Sequence, residues 1–345
     1  MRGCEPRPEQ ELTALSGGLE FRGGSANHRR ECSDAVRLVL TVGNFFRRLR
    51  VKFELGIGPD SWGVWFPEDP QQPPFEQFLD EASRAGYRTI ELGPYGYLPT
   101  DPDALRSLLD AYTFRLSGGF IFGNLHSPGA YEERKAEIDS AAPLLQALGA
   151  EFCVLIESMY TDLFTGEQIA NSELSEAEWA TLTENSNRIG AYVADRYGLK
   201  AAFHPHAQTN IEREDQIERY LAMTDPELVS MCLDTGHHAY CGGDPVTFMR
   251  NHHDRIPYLH IKSVDQGIRA EVAAEGIPFA EAVKMGAFTE PKAGVINFVA
   301  FRQVLEDIGF EGIGIVEQDL YPTAFDRPYP IAVSTRRYLS DIGMA

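Results

Sequence analysis

Six side chains that can hold a metal or move a proton each lie at the end of a short apolar run: Glu157, His204, His206, Asp234, His260 and Glu317. The densest stretch is Ser230–Asp265. There Met231–Leu233 leads into Asp234-Thr-Gly-His237, and Ile256–Ile261 carries His260 two residues before Lys262. If each run is a strand, carboxylates and imidazoles gather at the strands' carboxyl ends, where α/β proteins place their chemistry. Residues two apart share a face of a strand, so His204 and His206 can point to one mouth. A mixed carboxylate and imidazole set suits Mn²⁺, Co²⁺, Fe²⁺ or Zn²⁺ better than Ca²⁺ or Mg²⁺. Without a cation, such crowding of carboxylates would raise their pKa values or destabilise the fold.

The elements that must position these residues are legible from Phe53 onward. Apolar runs alternate with helical segments, and Gly, Pro or Asp marks the boundaries. Strands are expected over residues 53–58, 89–92, 115–122, 152–156, 199–203, 231–233, 256–261 and 312–316. Helices are expected over 74–85, 102–112, 132–148, 176–197, 212–223 and 298–308, with one more opening at Asp244-Pro245. Residues 266–295 read as less regular. Eight such units predict an α/β fold, a (β/α)₈ TIM barrel over residues 51–345. A doubly wound sheet is the competing architecture, but no GxGxxG follows the first strand. Residues 1–50 differ: they are rich in Gly, Ser and Arg, and read as a disordered or loosely docked extension.

Composition narrows the function. The formal net charge of −20 argues against nucleic acid or an anionic membrane as partner. No apolar run is long enough to span a bilayer. The five cysteines are scattered and form no CxxC, which points to buried thiols in a reducing, cytoplasmic setting. Trp62 and Trp65, in Pro59-Asp-Ser-Trp-Gly-Val-Trp65, offer aromatic faces on which a sugar could stack. His126, on the loop after the third strand, and Lys262 are further candidate substrate contacts.

From about Phe53 to Pro322 the chain resembles the xylose isomerase-like barrel superfamily of sugar phosphate isomerases and epimerases. The inosose dehydratase type is the nearest likeness. It rests on Phe203-His-Pro-His206, Leu233-Asp-Thr-Gly-His237 with Gly242-Gly-Asp-Pro245, Arg255-Ile256 leading to His260-Ile-Lys262, Asn297-Phe298 and Val316-Glu-Gln-Asp319. The resemblance implies metal ligands from strands five to eight: His204, Asp234, His260 and Glu317, with Mn²⁺ favoured. His204 stands where epimerases of the superfamily usually have Glu, and Glu157 is an alternative ligand or base. The segment His204-Pro-His-Ala-Gln-Thr209 and Ser263 after Lys262 depart from the dehydratase pattern.

The chemistry implied starts with a keto-sugar or keto-cyclitol. A base, Glu157 or His206, removes the α-proton and gives an enediolate. With no Glu pair on strands five and eight, β-elimination assisted by His206 or His237 as acid is the expected outcome. Isomerisation, epimerisation and cleavage of a 3-keto-glycoside are the alternatives, and a sugar-binding or assembly subunit is the non-enzyme alternative. The sequence leaves the oligomeric state open, a homo-oligomer included.

Overall fold

The computed structural model describes residues 52–345; the expected extension over residues 1–50 lies outside them. Eight parallel strands form the barrel: β1 (Lys52–Ile57), β2 (Thr89–Ile90), β3 (Arg115–Leu116 and Gly118–Phe122), β4 (Phe152–Ile156), β5 (Lys200–Phe203), β6 (Val229–Asp234), β7 (Tyr258–Ile261) and β8 (Glu311–Val316). β1 pairs with both β2 and β8, and pairing runs on from β8 back to β4. The ring closes through β3, whose first part pairs with β2 and whose second pairs with β4. Ser117 sits at the step between the two, and its hydroxyl bonds to Ile90 and Tyr258.

Strand alternation decides what fills the barrel. Phe152, Val154 and Ile156 of β4, Ala202 of β5, Cys232 of β6, Tyr258 of β7, and Ile313 and Ile315 of β8 pack into one interior cluster. The other face of each strand contributes to the larger core beneath the helices, for example Cys153, Leu155, Phe203 and Leu259. This is the layered interior and outer shell of a TIM barrel. The expectation of eight βα units holds, with small shifts at element ends.

Local chemistry sets the helix ends. Ser175 and Glu178 form a capping box at the start of Glu176–Tyr197, and Gly198 ends that helix with φ 68°. Asp101 caps Pro102–Tyr112. The expected irregular stretch 266–295 is corrected: it holds helices Gln266–Glu275 and Phe279–Met285, then a strand pair joining Ser263–Val264 to Phe288–Thr289. Asp265 begins the first of these helices by accepting from the Gly267 and Ile268 amides. Among the described residues, no helix is long and apolar enough to cross a membrane.

Candidate metal centre and active site

The site continues the interior alternation by one further step. Counting by two from the apolar plug, Ala202 leads to His204, Cys232 to Asp234, Tyr258 to His260 and Lys262, and Ile315 to Glu317 and Asp319. The register places Asp234 directly opposite His260. His204, Asp234, His260 and Glu317 are all buried, and one donor atom from each lies within 4.8 Å of the others. His204 Nε2 is 3.4 Å and His260 Nδ1 3.8 Å from Asp234 Oδ2, and His260 Nδ1 is 2.9 Å from Glu317 Oε2.

These spacings suit one divalent ion. Donors about 2.1 Å from a common metal lie roughly 3–4 Å apart. Asp234 Oδ2 and His260 Nδ1 are buried without a hydrogen bond of proper geometry, as metal donors would be. Asp234 divides its work: Oδ1 accepts the His237 amide at 2.8 Å and caps the short helix Thr235–Tyr240, leaving Oδ2 for the site. Glu91, buried in the barrel, lies 3.3 Å from His260 Nε2 and so turns Nδ1 toward the cluster.

Lys262 is the central charge. Its Nζ lies 3.1 Å from both Asp234 Oδ2 and Glu317 Oε2 and 3.2 Å from Asp319 Oδ2. Burial opposes its charge, yet Asp234, Asp319 and Glu317 hold its pKa well above the usual lysine value. In the same way burial works against the charge on Glu317, but His260 and Lys262 bring its carboxyl down to about 2. Burial pushes the His206 imidazole down to about 3, and His204 adds to this. His206 Nδ1 is 2.8 Å from the Ala207 carbonyl, which makes Nδ1 the donor and leaves Nε2 an unprotonated acceptor. His237 stacks behind it at 3.8 Å between ring centroids.

A cavity of about 330 Å³ opens over this cluster. Its polar end is lined by Asp60, His204, His206, His260, Lys262, Glu317 and Asp319, and Trp65 is among its apolar liners. Three expected site residues, Glu157, His126 and Trp62, need correction. Glu157 is one residue out of phase with Phe152, Val154 and Ile156, so it faces the helices rather than the cavity. It is fully buried and accepts from the Leu125 amide, His126 Nδ1, and the Ser158 amide and hydroxyl. Glu157 therefore holds the loop containing His126, and neither residue lines the cavity. Trp62 is also fully buried: Nε1 donates to Glu81 at 2.7 Å and its ring packs edge-on to Phe78. The turn Pro59–Trp62 rotates Trp62 inward and leaves Trp65 at the rim.

The family description "Xylose isomerase-like TIM barrel" matches residues 79–334. The chain belongs to this family. It is 31% identical over 295 residues to an inosose dehydratase of Lacticaseibacillus casei (strain BL23), covering 84% of this chain and 96% of that one. An inosose dehydratase of Geobacillus kaustophilus (strain HTA426) is 32% identical over 299 residues, covering 83% and 94%. Among solved structures, the fold is shared with "IOLI protein with a binding zinc atom" at TM-score 0.62 and 16% identity, covering 84% of this chain and 98% of that one. It is also shared with a D-allulose 3-epimerase from Methylomonas sp. in complex with D-allulose, at 0.60 and 17%, covering 84% and 97%. This xylose isomerase-like barrel is an enzyme of the carbon–oxygen lyase or sugar isomerase/epimerase kind.

Three residues of the barrel mouth escaped sequence reasoning: Asp60, Glu91 and Asp319. Asp319 was accessible, because it stands two residues after Glu317 on the same face. Glu91 follows the two-residue β2, where the apolar signal is too short to set a phase. Asp60 lies in a loop, and only tertiary packing brings it to the site.

Proposed function

We propose that this chain is a lyase that performs β-elimination on a keto-cyclitol or keto-sugar, with a divalent metal, Mn²⁺ favoured, held by His204, Asp234, His260 and Glu317. The observation that carries this is the convergence of these four donors at a cavity that His206 and Lys262 also line. The inosose dehydratase relatives support the lyase reading, and the zinc in the IOLI structure supports a metal in this fold. The bound metal would polarise the ketone and stabilise an enediolate as a Lewis acid. His206, which lines the cavity and keeps Nε2 unprotonated while Nδ1 donates to the Ala207 carbonyl, is the group assigned to take the α-proton. The Cα–H electrons become the new double bond, the β C–O bond breaks with its pair on oxygen, and the proton ends on the departing hydroxyl as water. His237, behind His206, holds that ring in place by stacking. Lys262 holds a substrate oxygen, and its three carboxylate partners fix its direction.

The test is incubation with keto-inositols and ketohexoses in D₂O in the presence of Mn²⁺. Deuterium incorporation is read by mass spectrometry and conjugated product by ultraviolet absorbance. Conjugated product from a keto-inositol supports the lyase. Exchange with recovery of an epimer and no conjugated product would replace it with an epimerase.

A further inference from the structure

Among the described residues, two that are not glycine hold a left-handed backbone, Thr113 and Gln208. Thr113, φ 58°, ends the helix Pro102–Tyr112, where such a turn is ordinary. Gln208, φ 63°, ends no helix. It stands two residues after His206 in the loop following β5, and a residue with a Cβ disfavours that conformation. Three bonds hold it there. Its N–H donates to Glu212 Oε2 at 2.6 Å, its carbonyl accepts the Tyr160 amide at 2.8 Å, and its Oε1 accepts the Thr161 hydroxyl at 2.5 Å. A conformation over-determined in this way marks a place where the direction of the backbone is used.

The direction belongs to one peptide group. The Gln208 N–H and the Ala207 carbonyl share a trans peptide, so they point opposite ways in one plane. Glu212 takes the N–H end, and His206 Nδ1 donates to the carbonyl end at 2.8 Å. Glu212 is itself fixed: Oε1 accepts the Tyr160 hydroxyl at 2.9 Å, and Cys241 Sγ lies 3.6 Å from Oε2. Burial first, and then Glu212, push the pKa values of Tyr160 and Cys241 up, so both stay protonated donors. His206 lines the cavity and Glu212 does not.

We infer that Glu212 is a positioning residue for His206, acting through the Ala207–Gln208 peptide. The carboxylate holds the N–H, aims the carbonyl at the imidazole and polarises it, which keeps the proton on Nδ1 and leaves Nε2 bare. The role is that of the carboxylate that orients a catalytic histidine, with one peptide unit interposed. This rests on the reading of His206 as the base and deepens it.

The test reads the tautomer without substrate. Protein labelled with ¹⁵N in histidine is loaded with Zn²⁺, which unlike Mn²⁺ does not broaden the signals, and studied by NMR; His206→Asn assigns the His206 signals. In the wild type Nδ1 should carry the proton. In Glu212→Ala, a change at a half-buried position, the ratio of Nδ1–H to Nε2–H should fall about 5-fold or more. Glu212→Gln, whose amide oxygen can still accept the Gln208 N–H, should restore the wild-type ratio. Tyr160→Phe removes a different bond of Glu212, leaves the peptide held and should change nothing. In elimination assays Glu212→Ala should lower kcat about 10-fold and leave KM within about 2-fold. A proton on Nε2 in the wild type, an unchanged ratio in Glu212→Ala, an equal change in Tyr160→Phe, or no restoration in Glu212→Gln overturns the proposal. The expected tautomers without elimination of any keto-inositol or ketohexose overturn the lyase reading alone and leave the link from Glu212 to His206 standing.

Discussion

Asp60 is a carboxylate whose two oxygens are both buried and both without a hydrogen-bond partner. Burial, and then Glu317, push its pKa well above the ordinary carboxylate value. A group left in that condition costs stability, and barrels keep such groups where substrate makes up the missing bonds. Asp60→Asn preserves the shape and removes the charge. It should raise Tm by about 2 °C, corresponding to about 1 kcal/mol, because a buried charge opposed by Glu317 and Asp319 is lost. It should also lower kcat/KM by about 10- to 100-fold if Asp60 receives substrate hydroxyls. Thermal unfolding and steady-state kinetics on the same preparation check both. A residue with only a structural role would lower both quantities together. At this scale the sequence was most legible where the residue ends a strand, as His204 and Asp234 do. It was least legible where a loop delivers the side chain, as with Asp60 and Trp62.

The elements behave as pointers whose phase matters more than their boundaries. β4 is placed at the expected residues, yet Glu157, one step out of phase with Ile156, turns away from the barrel interior. The same counting by two identifies Asp319. Gly236 shows how closely an element can hold its neighbour. A Cβ there would lie 2.0 Å from Lys262 Cγ, so the short helix after β6 approaches Lys262 only because residue 236 is glycine. Gly236→Ala should shift Lys262 away from Asp234 and Glu317, destabilise the fold by about 1–3 kcal/mol and reduce kcat/KM at least 10-fold. Urea unfolding and kinetics test this; wild-type kinetics would show that the lysine's position is not used. The helices Ala130–Ala147 and Glu176–Tyr197 are joined by Asp139, which accepts from Lys135 and from Tyr192 and Tyr197. Those bonds, Lys135 first, lower its pKa to about 2. A carboxylate depressed in the folded state stabilises above its unfolded pKa and ceases to as pH falls through the folded one. Asp139→Asn should therefore lower the urea midpoint at pH 6, by a margin that shrinks as pH falls through about 2. The effect should stay below about 1 kcal/mol because solvent screens the cluster.

The whole molecule joins four strands at one point. Four carboxylates (Asp60, Asp234, Glu317 and Asp319) face a single lysine in the barrel mouth, inside a chain that already carries −20. A divalent cation relieves that imbalance, and its binding is favoured in the folded state, where the donors are assembled. Mn²⁺ at about 100 times its Kd should then add about 2.7 kcal/mol of stability, a rise of about 5 °C in Tm, and a chelator should reverse it. An acidic surface could bind the ion without specificity, so the control is Asp234→Asn. It removes one donor and keeps the cap, since an amide oxygen still accepts the His237 amide. That variant should fold, show the wild-type far-ultraviolet spectrum, and lose most of the metal-dependent shift. Hydrogen exchange gives the location: added protection should fall on the carboxyl ends of β5 to β8, which carry the ligands, and not on β2 and β3, which carry none. Equal thermal shifts in the wild type and Asp234→Asn, or protection spread evenly around the ring, would remove the metal from this site and the proposed elimination with it.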